Sequence, residues 1–281
     1  MSRYFSLFTT ESQYQAAVDT LDYPNVSLID TTGDLHYAKY VGKEVADAPF
    51  GSILMAEVAT NKLFYINNSE YNLTDFPLAD YKPIAVCIYD KGSNANNETV
   101  FMSLQWVDYT ALGHGKPSYK QMSWGFYKVD LSAKVPGIRD TGSQHISSRV
   151  INEAMKPLVT KDYSGTSITD TSGDGESTAF CTCWRYSTPG TSEGEWYLPS
   201  YYDMMKYQQN YASINAVITN VQNVAGISYL STVKDVQWLA ADESASNARN
   251  LNNSGSFGYT YKDNRYGPSV RPVFIAGVQE L

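Results

Sequence analysis

Charge is scarce in this chain. Asp, Glu, Lys and Arg make up 18% of its 281 residues, against about 25% in ordinary globular sequences. The balance is acidic, with a formal net charge of -8. A groove for nucleic acid needs clustered Lys and Arg to displace the counterions of the phosphates. The sequence holds no such cluster, and nucleic acid is excluded as a partner. No apolar run approaches the roughly 20 residues of a membrane-spanning helix, which excludes insertion of that kind. The N-terminus, Met1 to Glu11, has neither the apolar stretch nor the small-residue cleavage site of a secretory leader. The expectation is a soluble chain that no ordinary signal peptide exports.

Cysteine and histidine are also sparse, and this limits the chemistry. Cys87, Cys181 and Cys183 are odd in number and too few for a disulfide framework. Cys181 and Cys183 stand two apart in what reads as a strand, Ala179 to Trp184, where they would share one face. Buried thiols and metal ligands are both open readings of that pair, and the lack of a nearby His favours the first. His36, His114 and His145 are scattered, and none sits in a motif that sets a tuned base beside a nucleophile. No catalytic residue and no cofactor is assigned. The stretch Asp170-Thr-Ser-Gly-Asp174-Gly-Glu176 offers hard oxygen ligands at short spacing but departs from the EF-hand pattern. It reads as a solvated loop, and no metal is assigned.

Tyrosine, by contrast, is abundant, with 23 residues. Tyr builds strands and polar-tipped cores, and it also stacks on sugar and protein surfaces. Near the C-terminus, residues 243 to 267 hold five Asn, four Ser, three Gly and three Tyr, with Leu251 and Phe257 as the only large aliphatic or Phe side chains. Apolar residues close in on both sides: Val236, Trp238 and Leu239 before, Val270, Val273, Phe274 and Ile275 after. Such a segment buries too little to be core, and disorder is not expected between two apolar strands. It reads as a polar loop pinned to a rigid scaffold, with the Asn, Ser, Gly and Tyr alphabet of adaptable binding surfaces. Leu251 and Phe257 are expected to point inward as pins. Asn247, Asn250, Asn252, Tyr259, Tyr261, Asp263 and Tyr266 are expected to project outward.

The rest of the chain reads as α+β with a mainly antiparallel sheet and two helices. Residues 1–47 form a separate attachment segment, with a short helix at Glu11–Leu21 and extended pieces near Tyr23–Ile29 and Leu35–Ala38. That segment is too short to hold a core, so it either leans on partner chains or packs on its own domain. From residue 48 to 281 a single domain is expected. A hairpin is read at Phe50–Val58 and Lys62–Ile66, further strands at Ile84–Tyr89 and Val100–Trp106, and a polar loop at Ser164–Ser177. The first helix covers His145–Leu158, where Ile146, Val150, Ala154 and Leu158 fall four apart before a stop near Pro157. Ser200 opens the second, Tyr201–Val221, broken near Asn210.

Three ordered motifs carry a resemblance: Gly194-Glu-Trp-Tyr-Leu-Pro-Ser200, Trp238-Leu-Ala-Ala-Asp-Glu243 and Val270-Arg-Pro-Val273. Together they resemble the C-type-lectin-like fold of formylglycine-generating-enzyme-like domains and of phage major-tropism-determinant proteins. The likeness spans about residues 48 to 281 and points to gut-bacterial phages of the Bacteroides-type, crAss-like kind. The second motif keeps the Trp and an acidic residue of the family's Trp-Ser-Ser-Thr-Glu but not its middle positions. The resemblance implies a non-enzymatic virion appendage, a tail or head fibre. It would be assembled in host cytoplasm and would bind a host cell-surface glycan or protein outside the cell.

In that family the segment between the second and third motifs is the variable ligand-binding surface. Carried over, the ligand-binding residues are Ser244, Ser246, Asn247, Asn250, Asn252, Asn253, Ser256, Tyr259, Tyr261, Asp263, Asn264 and Tyr266, all compatible with retroelement diversification of adenines. Residues 1–47 would join other virion proteins, in a homotrimer. Two alternatives stand beside this reading: a capsid or tail decoration protein that binds no receptor, and an enzyme of the formylglycine-generating type, which the placement of the cysteines disfavours.

Overall fold

The structure is a computed structural model that describes residues 45–67, 73–107, 123–162, 176–225, 237–252, 255–264 and 269–276, with backbone alone at 28–29, 35–36, 75, 161–162 and 176–177. It is α+β, with mostly antiparallel sheets and four helices among the described residues.

The central sheet is built from near-continuous apolar runs, the pattern of strands covered on both faces. Strand β3 (Ile53–Glu57) turns into β4 (Leu63–Ile66), with Asn61 at φ +56°, a left-handed position that Asn tolerates. This is the hairpin read from the sequence. Next to them lie β5 (Tyr81–Tyr89) and β6 (Thr99–Ser103), then β13 (Val273–Ala276) and the two-residue β9 (Trp196–Tyr197). The order is β4-β3-β5-β6-β13-β9, every neighbour antiparallel. The C-terminal strand therefore enters between β6 and β9 and draws the last motif into the middle of the domain.

Each face of this sheet carries its own core. Leu54, Ala85, Cys87 and Phe101 pack on one side against Trp124, Trp196 and the helices α1 (Ser148–Met155) and α2 (Ala179–Arg185). Ile53, Met55, Val86, Val100 and Val273 pack on the other against Tyr202 and Met204 of α3 (Tyr201–Gln209) and Ile214 and Ile218 of α4 (Tyr211–Ala225). Full burial of such side chains stabilises by about 1.5–3 kcal/mol each.

Helix boundaries follow local chemistry. Ser147 caps α1 by accepting from the Val150 amide, and the helix ends in a 3-10 turn, Lys156–Leu158, that contains Pro157. Ser200 caps α3 by accepting from the Asp203 amide at 3.1 Å, and the α3–α4 break falls at Asn210. The stretch Ala179–Trp184 corrects the strand expectation: it is α2, and Cys181 and Cys183 do not share a face. Residues 179 to 183 are all buried. A short apolar run of this sort has no alternation to distinguish a strand from a buried helix.

A second sheet, in the order β10-β11-β12, comprises β10 (Gln237–Asp242), β11 (Asn247–Leu251) and β12 (Phe257–Tyr261), all antiparallel. The expected polar loop is thus mostly a regular hairpin. Two short pairs complete the described strands, antiparallel β1 (Leu28–Ile29) with β2 (Leu35–His36), and parallel β7 (Lys161–Asp162) with β8 (Glu176–Ser177). The helix expected at 11–21, His114 and all but the last two residues of the loop expected at 164–177 lie outside the described residues.

Candidate ligand-binding surface

The three motifs meet beneath the second sheet. In the first, Trp196 is fully buried and donates from Nε1 to Thr191 Oγ1 at 2.8 Å. The Leu198 peptide is clamped by Asn152, whose Oδ1 accepts from the Leu198 amide at 3.0 Å and whose Nδ2 donates to the Leu198 carbonyl at 2.8 Å. The Pro199 carbonyl then accepts from the Ala240 amide at 2.7 Å, tying this motif to β10. Fully buried Trp238 donates its amide to the Ser269 carbonyl at 2.9 Å, which links β10 to the third motif. Arg271 is 1% exposed and donates from Nε to the Ser103 carbonyl at 2.6 Å, with its guanidinium 5.8 Å from the Trp106 ring. These three side chains are scaffold.

The β11–β12 hairpin has two chemically different faces. Its register pairs Asn247 with Tyr261, Arg249 with Tyr259 and Leu251 with Phe257 on one face, and Ala248 with Thr260 and Asn250 with Gly258 on the other. The Ala248 face lies on the core around Trp124 and Trp238. On the Tyr face, Leu251 is buried and Phe257 is half-buried, stacked on Tyr201 with ring centroids 4.1 Å apart. Beyond these two pins, Tyr259 and Tyr261 are 63% and 60% exposed. Arg249 lies between, 5.6 Å from the Tyr201 ring and ion-paired with Glu243.

A buried ion pair holds this hairpin down. Lys262 follows Tyr261 and turns to the core side, where it is fully buried. Its Nζ sits 3.0 Å from Asp242 Oδ1, 5.0 Å from the Trp124 ring, and donates to the Val129 carbonyl at 2.9 Å. Asp242 Oδ2 accepts from the Leu131 amide at 3.3 Å, with Arg139 Nη2 at 3.5 Å. Burial pushes the Asp242 carboxyl above its ordinary range and the Lys262 amine below its own, and the attraction between them opposes both shifts. The end of β12 is thereby fixed to the end of β10 and to the segment after Trp124. Beside Tyr201, residues 132–144 fold into an open cleft of about 240 Å³.

The structure gathers most of the sequence-derived residues here but sorts them. Tyr259, Tyr261, Ser256 and Asp263 are exposed. Asn247, Ser244, Ser246, Asn252 and Asn264 are half-buried. Ser244 Oγ accepts from the Ser246 and Asn247 amides, and Asn252 Oδ1 accepts from the Ser256 amide at 2.8 Å, so both shape turns. Asn250 departs from the expected outward set. It is 5% exposed, and its Oδ1 occupies the space over Gly258, 3.1 Å from where a Cβ would stand. Asn253 and Tyr266 lie outside the described residues.

Lys262, Arg249 and the 132–144 cleft were not found from the sequence. The alternation Phe257, Tyr259, Tyr261 is a period-two signal that marks β12, and it places Lys262 on the opposite, core face. The cleft left no comparable trace.

The three thiols are buried, and burial pushes Cys181 up to about 12 and raises Cys87 and Cys183 as well. A thiol so placed is a poor nucleophile at neutral pH. Among the described residues no three His, Cys, Asp or Glu side chains converge as a metal site, and no helix is long and apolar enough to cross a membrane. Comparison with protein-family models, curated proteins and solved structures found no match for this chain.

Proposed function

We propose that this chain is a non-enzymatic phage virion appendage of C-type-lectin-like fold, a tail or head fibre that binds a host cell-surface glycan or protein. The observation that carries the reading is the tyrosine pair. Tyr259 and Tyr261, at 63% and 60%, are the most exposed large side chains of apolar character among the described residues. They stand side by side on one face of a strand whose other face is anchored by a buried ion pair. Exposed aromatic rings held on a rigid support present contact area at little entropic cost, a hallmark of binding surfaces. The acidic, charge-poor composition of the chain as a whole fits a partner recognised by stacking and hydrogen bonding rather than by phosphate neutralisation.

The motif resemblance supplies the biological setting, with residues 1–47 joining other virion proteins. The test is adsorption of the purified chain to host cells. A Tyr259→Ala, Tyr261→Ala double variant should fold like the parent and lose adsorption. Adsorption that survives in the folded double variant would falsify the assignment.

A further inference from the structure

The second sheet has one closed edge and one open edge. On β10, the amides of Trp238, Ala240 and Asp242 point outward and donate to the carbonyls of Ser269, Pro199 and Ile138 at 2.9, 2.7 and 2.8 Å. Strand β12 forms the other edge, and among the described residues β11 is its one pairing partner. The parity of that ladder follows from its ends. The Asn252 amide donates to the Ser256 carbonyl and the Lys262 amide to the Ser246 carbonyl, both at 2.9 Å. Bonded pairs in an antiparallel ladder recur at every second residue, so Gly258 and Thr260 bond back to β11. The amides and carbonyls of Phe257, Tyr259 and Tyr261 point the other way. Of these groups, the Tyr261 carbonyl is the one used among the described residues, by the Asn264 amide at 3.1 Å.

Open edges are templates for another strand, and folded proteins guard them with charge, proline, a bulge or brevity. Strand β12 has none of these guards. It reads Phe-Gly-Tyr-Thr-Tyr in unbroken register, a length of about 17 Å at strand rise. Lys262, the next residue, does not guard it either, because its amine is buried against Asp242. The edge borders the face on which Tyr259 and Tyr261 stand exposed. Arg249, across the hairpin, is paired with Glu243. Asp263, exposed just past the strand, has no ion pair among the described residues.

We propose that β12 is a strand-addition site, which binds an extended segment of a host-surface protein as a further strand of the second sheet. A row of alternating amide donors and carbonyl acceptors at strand spacing is matched by another backbone. A glycan has hydroxyls but no such row. In antiparallel pairing, the partner side chains opposite Tyr259 and Tyr261 fall on the tyrosine face, where β-branched and aromatic residues pair best. A basic residue at the end that lies beside Asp263 is favoured by charge, on a chain of net charge -8. The site rests on the reading of the tyrosine face as the ligand surface, and it narrows that ligand from glycan or protein to protein.

The test uses NMR of the full chain with one probe, the capped peptide Lys-Val-Thr-Val-Thr-Val-Lys. The control is the same peptide N-methylated at every residue between its lysines, which keeps the side chains and removes the donors. The Phe257, Tyr259 and Tyr261 amides should exchange freely in the chain alone, then shift and exchange about tenfold more slowly with saturating probe. The control should leave them unchanged. Tyr259→Pro removes one outward N–H without touching the ladder to β11 and should abolish probe binding in a folded chain, whereas Tyr259→Phe should keep it. Adsorption of the chain to host cells should survive periodate oxidation of their glycans and be lost after protease treatment. Unchanged amides, equal binding of the control, or binding that persists in folded Tyr259→Pro overturns the site. So does protection of the three amides in the free chain that disappears on dilution, which would put a second copy on the edge. Adsorption lost to periodate but not to protease also overturns it, and loss of adsorption in the Tyr259→Ala, Tyr261→Ala variant would then leave the tyrosine surface standing as a glycan site. Probe binding with adsorption indifferent to the tyrosines leaves the edge standing and removes the surface reading.

Discussion

At the scale of single residues, the segment from 243 to 267 divides into anchors and free positions, and the two should respond differently to substitution. Lys262 is an anchor: fully buried, with Asp242 as its counter-charge. Removing one member of a buried pair strands the other charge and costs about 3–5 kcal/mol, whereas replacing both by apolar groups is often nearly neutral. Lys262→Met should therefore lower unfolding free energy by that amount in a urea titration, and adding Asp242→Leu should restore most of it. A double variant no more stable than the single one would show that Lys262 contributes by packing on Trp124 instead. The exposed tyrosines should behave in the opposite way. Tyr259→Ala and Tyr261→Ala should each shift stability by about 0.5 kcal/mol or less. Trp238→Ala, in a fully buried position, should cost about 3–5 kcal/mol. Equal losses at Tyr259 and Trp238 would contradict the division.

At the scale of elements, α1, α3 and β5 are joined by one buried carboxylate. Asp203 in the first turn of α3 accepts from Tyr89 Oη of β5 at 2.5 Å, from the Ser148 amide of α1 at 3.1 Å and from Ser148 Oγ, which also accepts from the Ser200 amide at 2.7 Å. Burial raises its pKa from 3.8 to about 6, against the pull of these donors. The folded state thus binds the proton more tightly than the unfolded state. The associated stability is fully present below about pH 4 and is lost as pH rises through about 6, a change on the order of 3 kcal/mol. The stability of the parent minus that of Asp203→Asn should fall between pH 4 and 6.5 and then level off. A difference that rises with pH would reverse the assignment.

These junctions also show what the sequence made legible. Ser200 as a cap, the break at Asn210 and the β3–β4 hairpin all follow from local spacing, as does the role of Leu251 as a pin. The α2 helix did not, because a run buried on all sides carries no period. Nor did the inward turn of Asn250, which depends on the missing side chain of Gly258 across the strand pair. The cleft was invisible for a different reason: its shape comes from the backbone path of one loop, with a turn at Gly137, and not from a pattern of residue types.

At the scale of the whole molecule, rigidity and weak binding call for repetition. The central sheet is covered on both faces, and the hairpin is tied to it through Trp124 Nε1, which donates to the Leu239 carbonyl at 2.7 Å, and through Lys262. A preformed surface of this kind pays little to order itself on binding. On the proposed reading, the contact surface of one chain alone would hold a particle on a cell only weakly. Several copies with fixed geometry convert that into avidity, which can exceed the single-site affinity by about 10²–10⁴. Closed rotational symmetry is the ordinary way to array identical chains, and a trimer is the state implied by the fibre resemblance. Light scattering of the full chain should therefore give a mass near three times its 31.3 kDa. Adsorption to a dense host surface should be far tighter than binding of one chain to one receptor, and dilution to the monomer should abolish the gain. A chain that remains monomeric at micromolar concentration while adsorbing tightly to cells would mean that one site suffices, and the argument from avidity would fail.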